Sequence, residues 1–420
     1  MSKQKKFFLG RTLLFTALLL GFSLVIHRVA AARDVLEILK EKGLITDQEL
    51  AEAKKEMEKS QPAADWSYRP GRGFTVTSKD KNYSLNLGSR FQFRYTFEDR
   101  EPFVGDDRSS FRVRRAKIWF QGNAYRPWIG YKIQGNFDSG EDGEFEMEDY
   151  FINLAYFKEA SLQFGQYKVP FNRQELTSSG SQQFVDRGIT NDEFNFGRDL
   201  GVMVHGNLKD FFHYQFGVHN GAGANDSANE NNGHLFGVRA LVTPLGRFDY
   251  YSESDTGHSK TPGLGVGAAF MFNNKATSGP GISKLASGFG KADVSNATVD
   301  LGFKWMGFSF LGDYFWRKAD PSAPGAKDAD SRGFLVQAGY FVLPKQLEIA
   351  GRFARINHDK DRSSSRIDHV SEGRGAINYF FQGHPLKLQL DVGKIREVRE
   401  TAGGKDRDTI EGRLQFQIIF

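Results

Sequence analysis

The chain has 420 residues, 39% of them hydrophobic, with a mean hydropathy of −0.49. These values suit a soluble chain of two or three domains, and equally a transmembrane barrel in which only alternate residues face lipid. Cysteine is absent, which excludes disulfides, thiolate metal sites and cysteine nucleophiles. The formal charge of +5 is a poor guide to partners, because all of the excess sits at the N-terminus.

Residues 1–32 read as a secretory signal peptide. Lys3, Lys5 and Lys6 form a basic start, 12–26 is an apolar run, and Ala30-Ala31-Ala32 offers small residues for cleavage. The run is short for a transmembrane anchor, the alternative reading. This segment holds five of the 56 basic residues and no acid, so the remainder balances 51 bases against 51 acids. Any preference for anions must then come from where the charges sit.

Residues 33–60 are expected to form a helical periplasmic extension. Val35, Leu36, Ile38, Leu39, Leu44, Ile45 and Leu50 are spaced for one apolar face, Gly43 ends a first helix, and Thr46 with Glu49 has the form of a capping box that starts a second. The extension is too small for its own core. Its stripe either packs on copies of itself or on a barrel, or the extension is loosely ordered. Residues 61–82 read as a linker.

From residue 83 to 420 the hydrophobic period changes from helical to two. Leu85, Leu87, Phe91, Phe93, Tyr95 and Phe97 fall on one side of the first strand; Asn86, Arg90, Gln92, Arg94 and Thr96 fall on the other. Later alternating segments cover 111–122, 129–137, 145–156, 162–169, 200–205, 212–219, 235–243, 264–273, 298–305, 308–317, 334–342, 347–354, 375–381, 386–392 and 410–420. The expected fold is an all-β, antiparallel transmembrane β-barrel of about 16 strands, since strands in lipid must pair until no edge remains. Frequent Phe (39) and Gly (46) suit such strands and their aromatic girdles. Short links at 306–307, 343–345 and 382–385 alternate with long ones at 220–233 and 274–296, as periplasmic turns alternate with outer loops. The link 246–263 breaks this rule and is either an elaborated turn or a missed strand pair. The last strand ends on Phe420, in the manner of an assembly signal read by the barrel-assembly machinery.

Several motifs resemble the phosphate-selective porin O and P family: Phe111 to Lys117 (FRVRRAK), Leu162 to Phe171 (LQFGQYKVPF), Glu175 to Ser179 (ELTSS), Asp186-Arg187, Arg198 to Gly201 (RDLG), Leu343 to Arg352 (LPKQLEIAGR), and Asn378 to Phe381 with Leu386 to Leu390. The resemblance spans about 83–420. It implies a sixteen-stranded, trimeric channel in the outer membrane of a Gram-negative bacterium, in contact with lipopolysaccharide and passing small anions such as phosphate.

An anion channel needs cationic donors that replace lost water at a constriction. Alternation nominates Arg90, Arg94, Arg112, Arg114, Arg115, Lys117, Lys132 and Lys168 as lining residues. Further basic positions on or beside strands are Arg239, Lys304, Arg317, Arg352, Arg374, Lys387 and Arg413. The acids are fewer: Asp149, Asp199, Asp300, Asp313, Glu348, Asp391 and Glu411. That is a lumen about two to one basic. Parity around Phe111 and Val113 conflicts with that of Ala116 and Ile118, so a bulge near Arg114-Arg115 is expected to aim both side chains inward. The long link 170–197 is expected to fold in as a constriction loop, with Arg173, Asp186, Arg187 and nearby Arg198 against Glu175, Asp192 and Glu193 as its charges. Its mixed signs favour a broad preference for anions over a filter specific for phosphate or polyphosphate. A general porin, or a barrel serving as a conduit for a periplasmic partner, are the alternatives.

An enzyme is disfavoured. There is no GxSxG motif, and the histidines are scattered without a third metal ligand. Gly263, Gly265 and Gly267 lie in an alternating strand with no helix after them, so they do not read as a nucleotide-binding loop. No cofactor, metal or nucleic-acid partner is expected.

Overall fold

The computed structural model describes residues 37, 39–40, 42–60, 64–101, 105–137, 145–209, 211–226, 229, 231–276, 291–323, 328–359, 367–399 and 405–420. The expected signal peptide lies outside them. The chain divides into two compact units between Asp65 and Trp66.

In the first unit, Gly43 takes φ +69°. Leu44 N–H donates to Leu39 O (2.9 Å) and Gly43 N–H to Lys40 O (2.8 Å), the two bonds of a Schellman cap. Helix α1 (Asp47–Ser60) then starts on the expected capping box. Thr46 Oγ1 accepts from Glu49 N–H (3.2 Å), and the Glu49 carboxylate accepts from Thr46 N–H (2.8 Å).

The stretch expected to be a linker instead contains two short strands, β1 (Ala64–Arg69) and β2 (Gly73–Ser78). Gly71, at φ +75°, makes the reversal between them. Phe74, Thr75, Val76 and Thr77 have the branched and aromatic character that favours strand, over a run too short to show a period.

Sixteen strands follow in the expected places: β3 (Ser84–Arg100), β4 (Arg108–Asn123), β5 (Ile129–Asn136), β6 (Glu146–Leu154), β7 (Ser161–Lys168), β8 (Arg198–Leu208), β9 (Phe212–His219), β10 (Leu235–Val242), β11 (Gly263–Ala276), β12 (Ala292–Trp305), β13 (Phe308–Pro321), β14 (Ala329–Leu343), β15 (Leu347–His358), β16 (Ile367–Gln382), β17 (Leu386–Arg399) and β18 (Arg407–Ile419). Each pairs antiparallel with its neighbours, and β18 returns to β3 through Thr409↔Arg100 to Ile419↔Arg90, closing a 16-stranded barrel. Beyond the last strand, Phe420 extends the seam. Its N–H donates to Ser89 O (3.0 Å), and its carbonyl accepts from Ser89 N–H (2.6 Å).

Burial is inverted relative to a soluble protein. Phe91, Phe93, Val336, Phe353, Ile377 and Leu414 are exposed on the outside, while Gln92, Arg94, Gln337, Arg352, Asn378 and Gln415 are buried within. The strands pair with neighbours on both sides around the closed barrel, interrupted at bulges, as a hydrocarbon surrounding demands.

The interior is not an open tube. The 169–197 segment enters from the long-loop end and contains two short helices, α2 (Arg173–Leu176) and α3 (Ile189–Phe194). It runs along one side of the lumen, where side chains of successive strands hold its carbonyls. Arg239 bonds Phe171 O (2.8 Å), Arg317 bonds Glu193 O (2.9 Å), Arg352 bonds Asp186 O (3.0 Å), Asn378 bonds Gln183 O (2.7 Å), Lys387 bonds Gln182 O (2.6 Å) and Gln417 bonds Gly180 O (2.9 Å). A small apolar core of Phe171, Phe194, Phe196, Met271 and Phe315 fills the space behind it. The long link after β10 is an elaborated turn rather than a missed strand pair. It too folds inward and buries Tyr250, Ser252, Glu253, Ser254 and Asp255.

Candidate functional site

The loop packs against the β10–β18 side and touches β3, β4 and β7 at a few side chains, and open space remains along the rest of the β3–β7 wall. On β3, alternation turns Arg90, Gln92 and Arg94 inward. Gln92 pairs with Arg115 and Phe93 with Val113, so Arg114 is an extra residue in β4. This is the bulge that parity required, and it brings Arg114 and Arg115 to one carboxylate. Asp186, on the loop, lies 3.0 Å from Arg94, 3.1 Å from Arg115 and 3.4 Å from Arg114. Arg112 stands in register with Arg94 and pairs with no carboxylate among the described residues.

A second bulge faces the first. Gln134 pairs with Asp149 and Gly135 with Met147, so Glu148 is the extra residue in β6, and Glu148 and Asp149 are both buried. Lys117 is ion-paired with Glu148. Lys132 lies 2.6 Å from Asp149, and Arg198 lies 2.6 Å from Asp149 and 3.4 Å from Glu148. Nearer the loop, Lys168 lies 3.7 Å and Arg187 3.1 Å from Glu175. Arg173 is not on this open side. It is buried, donates to Tyr250 O (2.6 Å) and lies 4.5 Å from the centre of the Tyr250 ring.

Arg90 is held differently. It donates to Ser179 Oγ (2.6 Å) and Ser178 Oγ (2.8 Å), and no carboxylate lies within ion-pair distance among the described residues. Its place in the lumen is equally distinct. A chamber of about 360 Å³ is lined by Arg90, Arg114, Arg115, Lys117, Lys132, Lys168, Arg187 and Arg198, against four carboxylates, Glu146, Glu148, Asp149 and Glu175. A second chamber of about 620 Å³ lies toward the short-turn end, with Arg69, Arg72, Arg90 and Lys132 and no carboxylate among its lining. The two share Arg90, Lys132, Gln134 and Ser178. These four residues line both chambers and mark the boundary between them, the neck of the proposed path.

The interior as a whole does not carry the expected two-to-one basic excess. Buried carboxylates are about as numerous as buried cations. The acids beyond the strand count are Glu175 and Glu193, expected on the loop, Glu253 and Asp255 on the inward turn, Glu148 at a bulge and Glu372 on β16. The excess survives in the linings of these two chambers.

Residues 85–418 match the model of the phosphate-selective porin O and P family. The chain belongs to that family. Porin O of Pseudomonas aeruginosa is 26% identical over 376 residues, 82% of this chain and 81% of that protein. Among solved structures, the outer membrane channel DcaP of Acinetobacter baumannii shares the fold with a TM-score of 0.53 at 15% identity, covering 83% of this chain and 100% of that one. A loop-deletion form of OmpT, an outer membrane protein of Vibrio cholerae, gives 0.51 at 10% identity, over 79% and 99%. The protein is thus an outer-membrane porin of a Gram-negative bacterium, and its family and fold are those of channel proteins. The short turns of a porin face the periplasm and the long loops face outward. The 169–197 loop therefore descends from the outer side, and the second chamber opens toward the periplasm.

The ionisation of Asp186 follows from its neighbours. Burial alone would raise its pKa, but Arg115, Arg94, Arg114 and Arg413 hold the carboxyl well below the usual range. Among the described residues, no group of three or more His, Asp or Glu side chains is arranged to hold a metal ion. Ser178 and Ser179, which hold Arg90, entered the sequence reading only as part of the ELTSS motif with no role assigned, and Gln134, which lines both chambers, was passed over. Uncharged residues on a long loop or an ordinary strand give no signal of such a place.

Proposed function

We propose that this porin passes small anions along the β3–β7 wall, from the chamber beside Arg114 and Arg115, through the neck at Arg90 and Lys132, to the periplasmic chamber beside Arg69 and Arg72. The observation that carries this reading is Arg90. It stands where the chambers meet, bonded only to hydroxyls, so its charge is left for a passing ion. An oxyanion of phosphate size entering the neck finds a guanidinium, an ammonium, an amide and a hydroxyl in place of its lost water, and charge-assisted bonds of this kind are the strong ones. Cations in series allow it to leave again. Phosphate or polyphosphate is the narrower cargo that the family description suggests. The same reading includes a homotrimer, contact with lipopolysaccharide, and recognition of Phe420 by the assembly machinery.

A second reading, a general porin, is favoured by the carboxylates that face the cations: Asp186 on one side, Glu148 and Asp149 on the other. Planar-bilayer recording under a salt gradient separates the two. The reversal potential is expected to show anion preference, phosphate is expected to reduce the chloride current, and Arg90→Ala is expected to weaken both. A cation preference in the wild type would overturn the proposal.

A further inference from the structure

The elaborated turn between β10 and β11 reaches the loop from the periplasmic side, and its central contact is Glu253. This side chain is 4% exposed. Its carboxylate accepts from Gln174 Nε2 (3.2 Å), Gln183 N–H (2.8 Å) and Gln337 Nε2 (3.1 Å). Its own N–H donates to the carbonyl of Ser181 (3.0 Å). Gln174 lies at one end of a loop segment, and Ser181 and Gln183 at the other. Between them stand Ser178 and Ser179, the two hydroxyls that hold Arg90.

From this we infer that Glu253 is a positioning residue for the neck: a periplasmic turn clamps both ends of loop segment 174–183 and thereby sets where Arg90 is presented to the lumen. The strand side chains that hold the carbonyls of Gly180, Gln182 and Gln183 act on one end of the segment. Glu253 touches both. A carboxylate suits the place because three donors converge on it and an ionised carboxylate offers only acceptors. Glutamine there would turn an N–H₂ group toward a donor and leave a buried N–H unsatisfied. The inference concerns how the loop is seated, so it goes beyond the choice of ion and holds whichever ion passes.

The test compares Glu253→Gln, Arg90→Ala and the double variant, each in the full chain reconstituted in planar bilayers. Glu253→Gln is expected to shift the unitary conductance and the reversal potential, and to lose that shift when Arg90 is already Ala. Because the chain has no cysteine, Ser181→Cys, in the same segment but not bonded to Arg90, gives a clean reporter. A charged thiol reagent is expected to label it faster when Glu253→Gln is also present. Unchanged conductance and labelling would overturn the inference, as would an equal shift with and without Arg90. If Glu253→Gln fails to give a heat-modifiable barrel, Gln174→Leu, which removes one arm of the clamp, is put through the same comparison with the same expectations. The wild-type reversal potential alone tests ion preference, so failure of that reading is distinguishable from failure of this one.

Discussion

Replacing Asp186 by Asn isolates the most connected carboxylate on the loop. The side chain keeps its size and one acceptor oxygen, and loses the charge that three guanidiniums share. Two of them, Arg114 and Arg115, line the outer chamber. For an anion passing about 8 Å from the carboxylate, with an effective dielectric of about 40 between those of water and protein, one removed charge favours entry by about 1 kcal/mol, roughly fivefold in relative anion occupancy. Salt screens an interaction over that distance, so the effect is largest at low ionic strength. The assay is the reversal potential under a salt gradient, read alongside heat-modifiable migration to show that the barrel is intact. The variant is expected to be more anion-selective than the wild type. An unchanged potential, or one moved toward cations, would refute the placement of Asp186 beside the ion path.

Three further outcomes follow from other parts of the molecule. The lowered pKa of Asp186 means that its stabilising contribution is complete above the unfolded value of about 3.9 and is lost only as pH falls through the still lower folded value; a pH titration of the reversal potential should therefore show no jump in anion preference from this group between about pH 5 and pH 4, and a jump that Asp186→Asn abolishes would count against it. Deleting Phe420 removes two backbone hydrogen bonds at the β18–β3 seam, each contributing about 1 kcal/mol, and should lower the yield of heat-modifiable barrel on refolding into detergent; an unaltered yield would show that the seam closes without it. Thr46→Ala should weaken the start of α1 by about 1 kcal/mol, seen by mass spectrometry as roughly fivefold faster amide exchange in its first turn, and unchanged exchange would mean that the capping box does not support the helix.

The barrel was legible in the sequence because lipid imposes one rule on every strand. Phe91, Phe93 and Phe97 alternate with Gln92, Arg94 and Thr96 whatever the neighbouring strands do, so a single sequence is enough to place them. The bulge at Arg114 was legible for the same reason: the apolar parity of Phe111 and Val113 disagrees with that of Ala116 and Ile118, and one extra residue repairs it. The second bulge was not. Glu146-Met147-Glu148-Asp149 has too few apolar residues to display a break in parity, so Asp149 was foreseen as a lining acid and Glu148 was not. The hairpin β1–β2 escaped because each of its strands is six residues long. Contacts made by the loop and the inward turn were illegible for a deeper reason. Glu253 finds Gln183 across 70 residues, and Asn378 finds Gln183 across 195, through the closure of the barrel rather than through any local pattern.

Charge placement inside the lumen follows from which surfaces are wet. A buried charge without a partner is costly, and breaking a buried pair costs more than the pair contributes. Where the loop packs against β10–β18, the buried cations have a carboxylate or a carbonyl: Arg239 has Asp300 at 2.7 Å, Arg413 has Asp391 at 2.8 Å, and Lys387 has the carbonyl of Gln182. Along β3–β7 the chambers supply solvent, so a cation can stand there with incomplete neutralisation. Arg90 does so at the neck, and Arg69 and Arg72 line a chamber that contains no carboxylate. On the path proposed for anions, residues 33–420, with 51 bases and 51 acids, present a positive wall because the loop packs against the paired charges of β10–β18. On that proposed path the position of the loop is itself a determinant of selectivity. If Asp186→Asn and Glu253→Gln act as argued, the first through charge beside the path and the second through the seat of the loop, their effects on reversal potential should differ in dependence on Arg90: the Asp186 effect persists in the Arg90→Ala background, and the Glu253 effect does not. Loss of both effects in that background would mean that Arg90 alone sets the path, and persistence of both would mean that the loop does not act through it.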